Sequence, residues 1–256
     1  MIVLERRDGR PLRIGHRGAP TLAPENTLRS FRAALEAGVD IVEFDVLALE
    51  GGELVVAHSG DLREITHGAA AGNVDARTLE ELRELAPELP TFDEVLEFFA
   101  NDALDVGLHV DIKSVDALET VTAALRHFGL ADRTLASTSN RAALRRLRRL
   151  EPAVRTGLTF PPGSSALAPL AGAGLPVIRW TTSSLVAGLL ARSEATALVL
   201  HHLVVTERAV RRTHALGAAV VAWTVDDPGD LARMDVAGVD AVVTNDPRIF
   251  ASTLPS

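Results

Sequence analysis

Short β-branched runs alternate with longer amphipathic stretches along most of this chain. Strands are predicted near residues 12–16, 39–47, 106–112, 133–138, 154–159, 197–201, 219–224 and 239–243. Helices are predicted near 27–37, 78–86, 91–100, 115–128, 140–150, 180–193, 206–215 and 228–235. In the first of these, Leu28, Phe31, Ala34 and Leu35 recur at the spacing of one helical face, and Asn26-Thr27 supplies a cap before them. Gly38, Gly129, Gly217 and Gly238 each follow a helical stretch, as helix stop signals do. Eight strands alternating with helices predict an α/β fold, a closed parallel (β/α)8 TIM barrel in one domain over residues 1–256. An open doubly wound sheet is the alternative. The chain has no glycine-rich phosphate or dinucleotide loop of the usual spacing, which weighs against it.

Two stretches depart from the alternation. Residues 47–58 read as a turn, Glu50-Gly51-Gly52-Glu53, and a short strand, Leu54-Val55-Val56-Ala57, that ends at His58. Residues 59–104 hold extra turns and two short helices. This is a small insertion after the second strand, lying over the catalytic face of the expected barrel. Pro161-Pro162-Gly163-Ser164-Ser165 reads as a loop within the domain.

Composition narrows the function. Hydrophobic residues make up 47% of 256, enough for a large globular core. A net charge of −8 argues against nucleic acid as a partner. The absence of cysteine removes disulfides and thiolate chemistry. No run approaches the ~18 apolar residues of a membrane span, so no integral membrane segment is expected. The opening MIVLERRDGR lacks a signal-peptide pattern, and the expected location is cytoplasmic.

The chemistry-bearing residues cluster at predicted strand ends. Glu43 and Asp45 are two apart in a strand, so they share a face, about 7 Å apart along it. Apolar Val42, Phe44 and Val46 would meet the helices, which turns the carboxylates inward. Two buried carboxylates need compensation. A divalent cation, Mg²⁺ or Ca²⁺, would supply it through oxygen ligands; an arginine-paired salt bridge is the alternative. On the third strand Asp111 and Lys113 repeat the spacing. Asp111 could complete a three-carboxylate site, and Lys113 could hold a substrate anion without competing for the metal. A plain Asp–Lys ion pair is the simpler reading. His109 shares their face and could support the site. His16 and His58, each at a strand end, suit proton transfer near neutral pH. Arg17 follows His16, and Gly18 permits close backbone approach. Trp223 ends the seventh strand as an apolar wall of the mouth or as a core residue. The other histidines read as surface or packing residues, with His201 and His202 set apart only by their place at another strand end.

His16-Arg17-Gly18, Pro24-Glu25-Asn26-Thr27, Glu43-Phe44-Asp45, Val55-Val56-Ala57-His58, Asp111-Ile112-Lys113, Trp223-Thr224-Val225 and Gly238-Val239-Asp240 with Thr244-Asn245-Asp246-Pro247 resemble the ordered signatures of the glycerophosphodiester phosphodiesterases. The match keeps the family's order over nearly the whole chain. The resemblance implies a (β/α)8 barrel that hydrolyses a small-molecule glycerophosphodiester to glycerol phosphate and an alcohol. It implies a divalent metal on Glu43, Asp45 and Asp111, and catalytic histidines at His16 and His58. It implies phosphate contacts from Arg17 and Lys113, with Glu25 and Asn26 supporting the site. It also suggests that a neighbouring hydroxyl of the substrate attacks first.

The chain departs from the family at three places. Asp111 stands where glutamate is usual. Ser59 follows His58 where aspartate is usual, with Asp61 a candidate for the missing role. His109 and Asp226 stand where asparagine is usual. A lysophospholipase D acting on lipid phosphodiesters, with an apolar rim from residues 59–104 or 161–177, is a second enzyme reading. A barrel that binds phosphodiesters without turnover is a third.

Overall fold

The computed structural model describes residues 2–162 and 175–253. In chain order the elements are β1 (Leu12–Gly15), α1 (Leu28–Glu36), β2 (Ile41–Ala48), β3 (Leu54–Val56), α2 (Leu62–Ile65), α3 (Leu79–Leu85), α4 (Phe92–Asn101), β4 (Gly107–Ile112), α5 (Leu118–His127) and β5 (Thr134–Thr138). They continue with α6 (Arg141–Leu150), β6 (Arg155–Phe160), α7 (Leu175–Ser193), β7 (Ala197–His201), α8 (Glu207–His214), β8 (Ala219–Trp223), α9 (Pro228–Ala237) and β9 (Ala241–Thr244). Parallel pairings run β1-β2-β4-β5-β6-β7-β8-β9, and β9 returns to β1. That last pairing closes the sheet into a (β/α)8 barrel and rules out the open alternative. β3 lies outside the parallel set, antiparallel to the end of β2 with Val46 opposite Val56.

The two-residue period of the strands separates the two sides of the wall. Phe44 of β2 faces outward, its ring centroid 5.5 Å from that of Phe31 on α1 and 6.0 Å from that of Phe99 on α4. The inward residues of the lower barrel are apolar. Ile14, Ile41, Leu135, Val199 and Val221 belong to one buried cluster that plugs the interior. Gly157 faces the same interior: a Cβ there would stand 2.9 Å from the Val199 side chain. Polar inward side chains begin above this plug, at the mouth formed by the strands' C-terminal ends.

The opposite end is held by Asp40, just before β2. Its carboxylate accepts from the Arg13 backbone N–H at 2.8 Å and from Arg13 Nε and Nη2 at 2.8 and 3.0 Å, and Arg7 adds a contact at 2.8 Å. Burial alone would push Asp40 up, but these hydrogen bonds and charges reverse the effect and hold it below the ordinary carboxylate range.

The insertion follows the expected plan with one addition. Three helices, not two, precede β4, because α2 spans only four residues and is too short for periodicity to reveal. Val55, Leu62, Val74, Leu82 and Leu89 give the insertion its own buried cluster. Thr78 and Thr91 start α3 and α4 with reciprocal capping boxes to Glu81 and Glu94. Helix α7 begins at Leu175, five residues before its expected start. The Gly163-Ser164-Ser165 part of the expected loop, and the 163–174 part of the expected apolar rim, lie outside the described residues.

Candidate active site

The mouth holds a cavity of about 640 Å³ whose wall includes His16, Arg17, Glu43, Asp45, His58, His109, Asp111, Lys113 and Trp223. Nine of the eleven residues expected from sequence therefore meet in one place. Glu25 and Asn26 stand just behind the wall. Glu25 accepts from Arg17 Nη1 at 2.8 Å, and Asn26 Nδ2 donates to Asp45 Oδ2 at 3.0 Å.

The turn after β1 explains the first motif locally. Arg17 and Gly18 are both left-handed, at φ 49° and 87°, and so is Asn26 at 58°. Gly18 lies directly on α1: a Cβ there would approach Ser30 Oγ to 2.4 Å and the Ser30 carbonyl carbon to 2.7 Å. This tight turn aims the Arg17 backbone N–H at Glu43 Oε2, 2.8 Å away. The Arg17 Nε atom lies 3.2 Å from Asp45 Oδ2, an ion-pair contact without hydrogen-bond alignment.

Register places the carboxylates. Glu43 pairs with His109 and Asp45 with Asp111 across β2 and β4. All four face inward in two layers. Burial, then the Asp45 and Asp111 charges, push Glu43 well above the ordinary carboxyl range against the opposing Arg17. Burial would push Asp45 up as well, but Lys113 and Arg17 hold it far below that range. Lys113 Nζ contacts Asp45 Oδ1 at 2.9 Å and Asp111 Oδ2 at 2.5 Å. Two anions are therefore the nearest partners of this half-buried ammonium. Both the ion-pair and the salt-bridge readings of these strands describe the contacts that exist here.

Glu43, Asp45 and Asp111 line one cavity, and carboxylate oxygens are the donors a hard divalent cation takes. Among the described residues no three carboxylates or imidazoles are spaced to enclose an ion, with Lys113 bridging two of them.

Both histidines have the same edge tied down. His16 Nδ1 lies 2.6 Å from Asn245 Oδ1. The Asn245 amide cannot be reversed, because Asp226 accepts from its Nδ2 at 2.7 Å and from its backbone N–H at 2.8 Å. A carboxylate only accepts, so the amide oxygen must face His16 and Nδ1 must carry the proton. Burial and then Arg17 lower the pKa of His16. His58 Nδ1 lies 3.2 Å from Glu64 Oε2 on α2. Asp61 does not take the role suggested for it; its carboxylate caps α2 by accepting from the Arg63 N–H at 2.9 Å. Glu64, Asn245 and Asp226 are thus residues to which sequence reasoning gave no role in the site. Thr244-Asn245 lay within a recognised motif, whereas nothing local marked Glu64.

His109 donates from Nε2 to Ser137 Oγ at 2.9 Å, and Ser137 donates to Asp111 Oδ1 at 2.6 Å. Burial brings the His109 pKa down to about 4, so the ring is neutral. Trp223 Nε1 donates to the Val199 carbonyl at 3.1 Å while its ring lines the cavity, which combines the two readings of that residue.

The closed barrel gathers carboxylates, tied imidazoles and two cations at its C-terminal mouth, groups suited to hydrolysing an anionic ester. The sequence model of the glycerophosphoryl diester phosphodiesterase family matches residues 16–249. The chain belongs to that family, whose members are phosphoric diester hydrolases. It is 29% identical to a Caldanaerobacter subterraneus glycerophosphodiester phosphodiesterase over 91% of this chain and 93% of that one. It is 25% identical to a Bacillus subtilis glycerophosphodiester phosphodiesterase over 94% and 85%. Its fold matches that of an Oleispira antarctica phosphodiesterase solved with its product sn-glycerol-3-phosphate, with TM-score 0.77, 24% identity and coverage of 96% and 97%. No described helix is long and apolar enough to cross a membrane.

Proposed function

We propose that this chain, as one barrel domain, hydrolyses glycerophosphodiesters to glycerol phosphate and an alcohol with a divalent ion, Mg²⁺ or Ca²⁺, held by Glu43, Asp45 and Asp111. The observation that carries the reading is the convergence of those carboxylates with His16, His58, Arg17 and Lys113 on one cavity. A bound ion would neutralise charge on the phosphoryl oxygens. Arg17 and Lys113 add positive charge beside the same oxygens, and Trp223 walls the pocket. His16, kept neutral by burial with Nδ1–H on Asn245, accepts through Nε2 the proton of the attacking hydroxyl. As the neighbouring glycerol hydroxyl forms the new P–O bond and the bond to the alcohol breaks, His58 protonates the departing oxygen; water then opens the cyclic phosphate to glycerol phosphate. Glu64 holds the His58 ring in place through its Nδ1 edge meanwhile. Asn26 orients Asp45, Glu25 orients Arg17, and His109 orients Asp111 through Ser137.

A carboxylate partner for His58 in Glu64, although Ser59 follows it, supports turnover over a barrel that only binds. The test is glycerophosphocholine hydrolysis by chelator-treated protein. Activity should vanish and return with Mg²⁺ or Ca²⁺. Full turnover after metal stripping would overturn the metal assignment, and no turnover under any metal would overturn the reaction.

A further inference from the structure

The cavity has a second wall that the reaction leaves unused. Four strand steps separate β2 from β7 in either direction around the barrel. β7 therefore stands opposite Glu43 and Asp45, across a barrel roughly 15 Å wide for eight tilted strands at ~4.8 Å spacing. Hydrogen-bonding side chains on that side include His201 and Thr159. His201 ends β7, and Thr159 lies near the end of the adjacent β6; both line the cavity.

Each of the two has one determined bonding state. His201 Nδ1 accepts the Leu203 backbone N–H at 3.3 Å. Burial and then His202 bring its pKa down to about 4, so the ring is neutral and its one proton sits on Nε2. The ring is further held edge-on to Trp223, with centroids 5.2 Å apart. Thr159 Oγ1 is buried and has no partner among the described residues. A buried hydroxyl without a partner is costly unless a ligand supplies one. A donor N–H and a donor–acceptor hydroxyl on one wall, with the Trp223 ring and Val199, fit a hydroxyl on a short carbon chain. A quaternary ammonium would satisfy neither group.

We infer that His201 and Thr159 bind the glycerol of the substrate, hydrogen-bonding the hydroxyl that does not attack, while the phosphoryl group and the attacking hydroxyl face β1 and β2. This rests on the proposed reaction. The alcohol that leaves then points away from β7, and discrimination at this wall is for glycerol.

Thr159→Val keeps the shape of the side chain. His201→Asn keeps an acceptor for Leu203 and removes the Nε2 donor. Each variant should raise the KM for glycerophosphocholine about tenfold, the scale of one lost neutral hydrogen bond, with kcat nearly unchanged. Calorimetry supplies a reading independent of turnover. The wild type should bind sn-glycerol 3-phosphate more tightly than inorganic phosphate, and both variants should narrow that ratio without weakening inorganic phosphate. A wild type that hydrolyses glycerophosphocholine while both variants keep its ratio would overturn this inference alone. So would KM losses that change when glycerophosphoethanolamine or glycerophosphoinositol replaces glycerophosphocholine, because the wall would then be reading the leaving alcohol. A wild type that hydrolyses none of these diesters would overturn the reaction itself, and this inference with it.

Discussion

Asn245 presents its side-chain oxygen to His16 Nδ1 at 2.6 Å, and Asp226 makes that presentation directional. The two residues come from opposite ends of the chain and meet only because β9 pairs with β1. Asn245→Ala or Asp226→Ala should lower kcat about 10–100-fold, the range typical of residues that orient a reacting group. Nitrogen-15 NMR of the imidazole checks the cause. Wild-type His16 should carry its proton on Nδ1, and the Asn245→Ala variant should lose that preference. A wild-type proton on Nε2 would contradict the assigned role.

His16→Ala and His58→Ala should each lower kcat at least ~100-fold, the scale of a lost general acid or base, while circular dichroism stays unchanged. Glu64→Ala should give a smaller loss, about tenfold, since it touches only His58. If either histidine variant keeps wild-type kcat, that histidine takes no part in proton transfer.

Asp111 stands one methylene short of the family's glutamate, and Ser137 and Lys113 hold its two oxygens. Oxygen–metal bonds span only ~2.0–2.6 Å, so a shorter side chain must draw the ion toward β4 or reach it through water. Asp111→Glu should keep metal affinity. Asp111→Asn should weaken it at least ~10-fold by removing a charge. Calorimetry with Mg²⁺ and Ca²⁺ compares the two, and equal affinity for Asp111→Asn and wild type would remove Asp111 from the ligand set.

Asp40 should make stability depend on pH. Its folded pKa is depressed, so its contribution is present above the unfolded value of about 3.9 and is lost as pH falls through the folded value. Asp40→Ala should cost ~2–4 kcal/mol at pH 7, because it strands the Arg13 guanidinium and backbone N–H. Urea melts should show the gap between variant and wild type closing below about pH 4. A gap that stays constant through that range would rule out the linkage.

Gly18→Ala should destabilise by about 3 kcal/mol or more, since a left-handed turn and a backbone contact with Ser30 both exclude a Cβ. A melting temperature within a degree of wild type would show that the turn can move away from α1.

The eight strands and most helices could be read from the chain because their signals are local: period two in β2, period 3.6 in α1, caps and glycine stops at their ends. The inward aim of Glu43 and Asp45 was legible for the same reason, since apolar Val42, Phe44 and Val46 alternate with them. Four-residue α2 was not legible, because one helical turn has no period. The true partner of His58 was missed with it, as Glu64 reaches that ring only when the insertion packs around Leu62.

The sequence by itself determined which residues could do chemistry and on which side of each strand they point. Both follow from residue type and backbone period. The tertiary structure decided who touches whom. Closure of β9 on β1 brought Asn245 and Asp226 to His16, and the register of β2 against β4 set Asp45 beside Asp111 and Lys113. It also placed His201 and Thr159 across the mouth from the carboxylates. These contacts join residues far apart in the chain, and no local pattern encodes the geometry of a closed sheet.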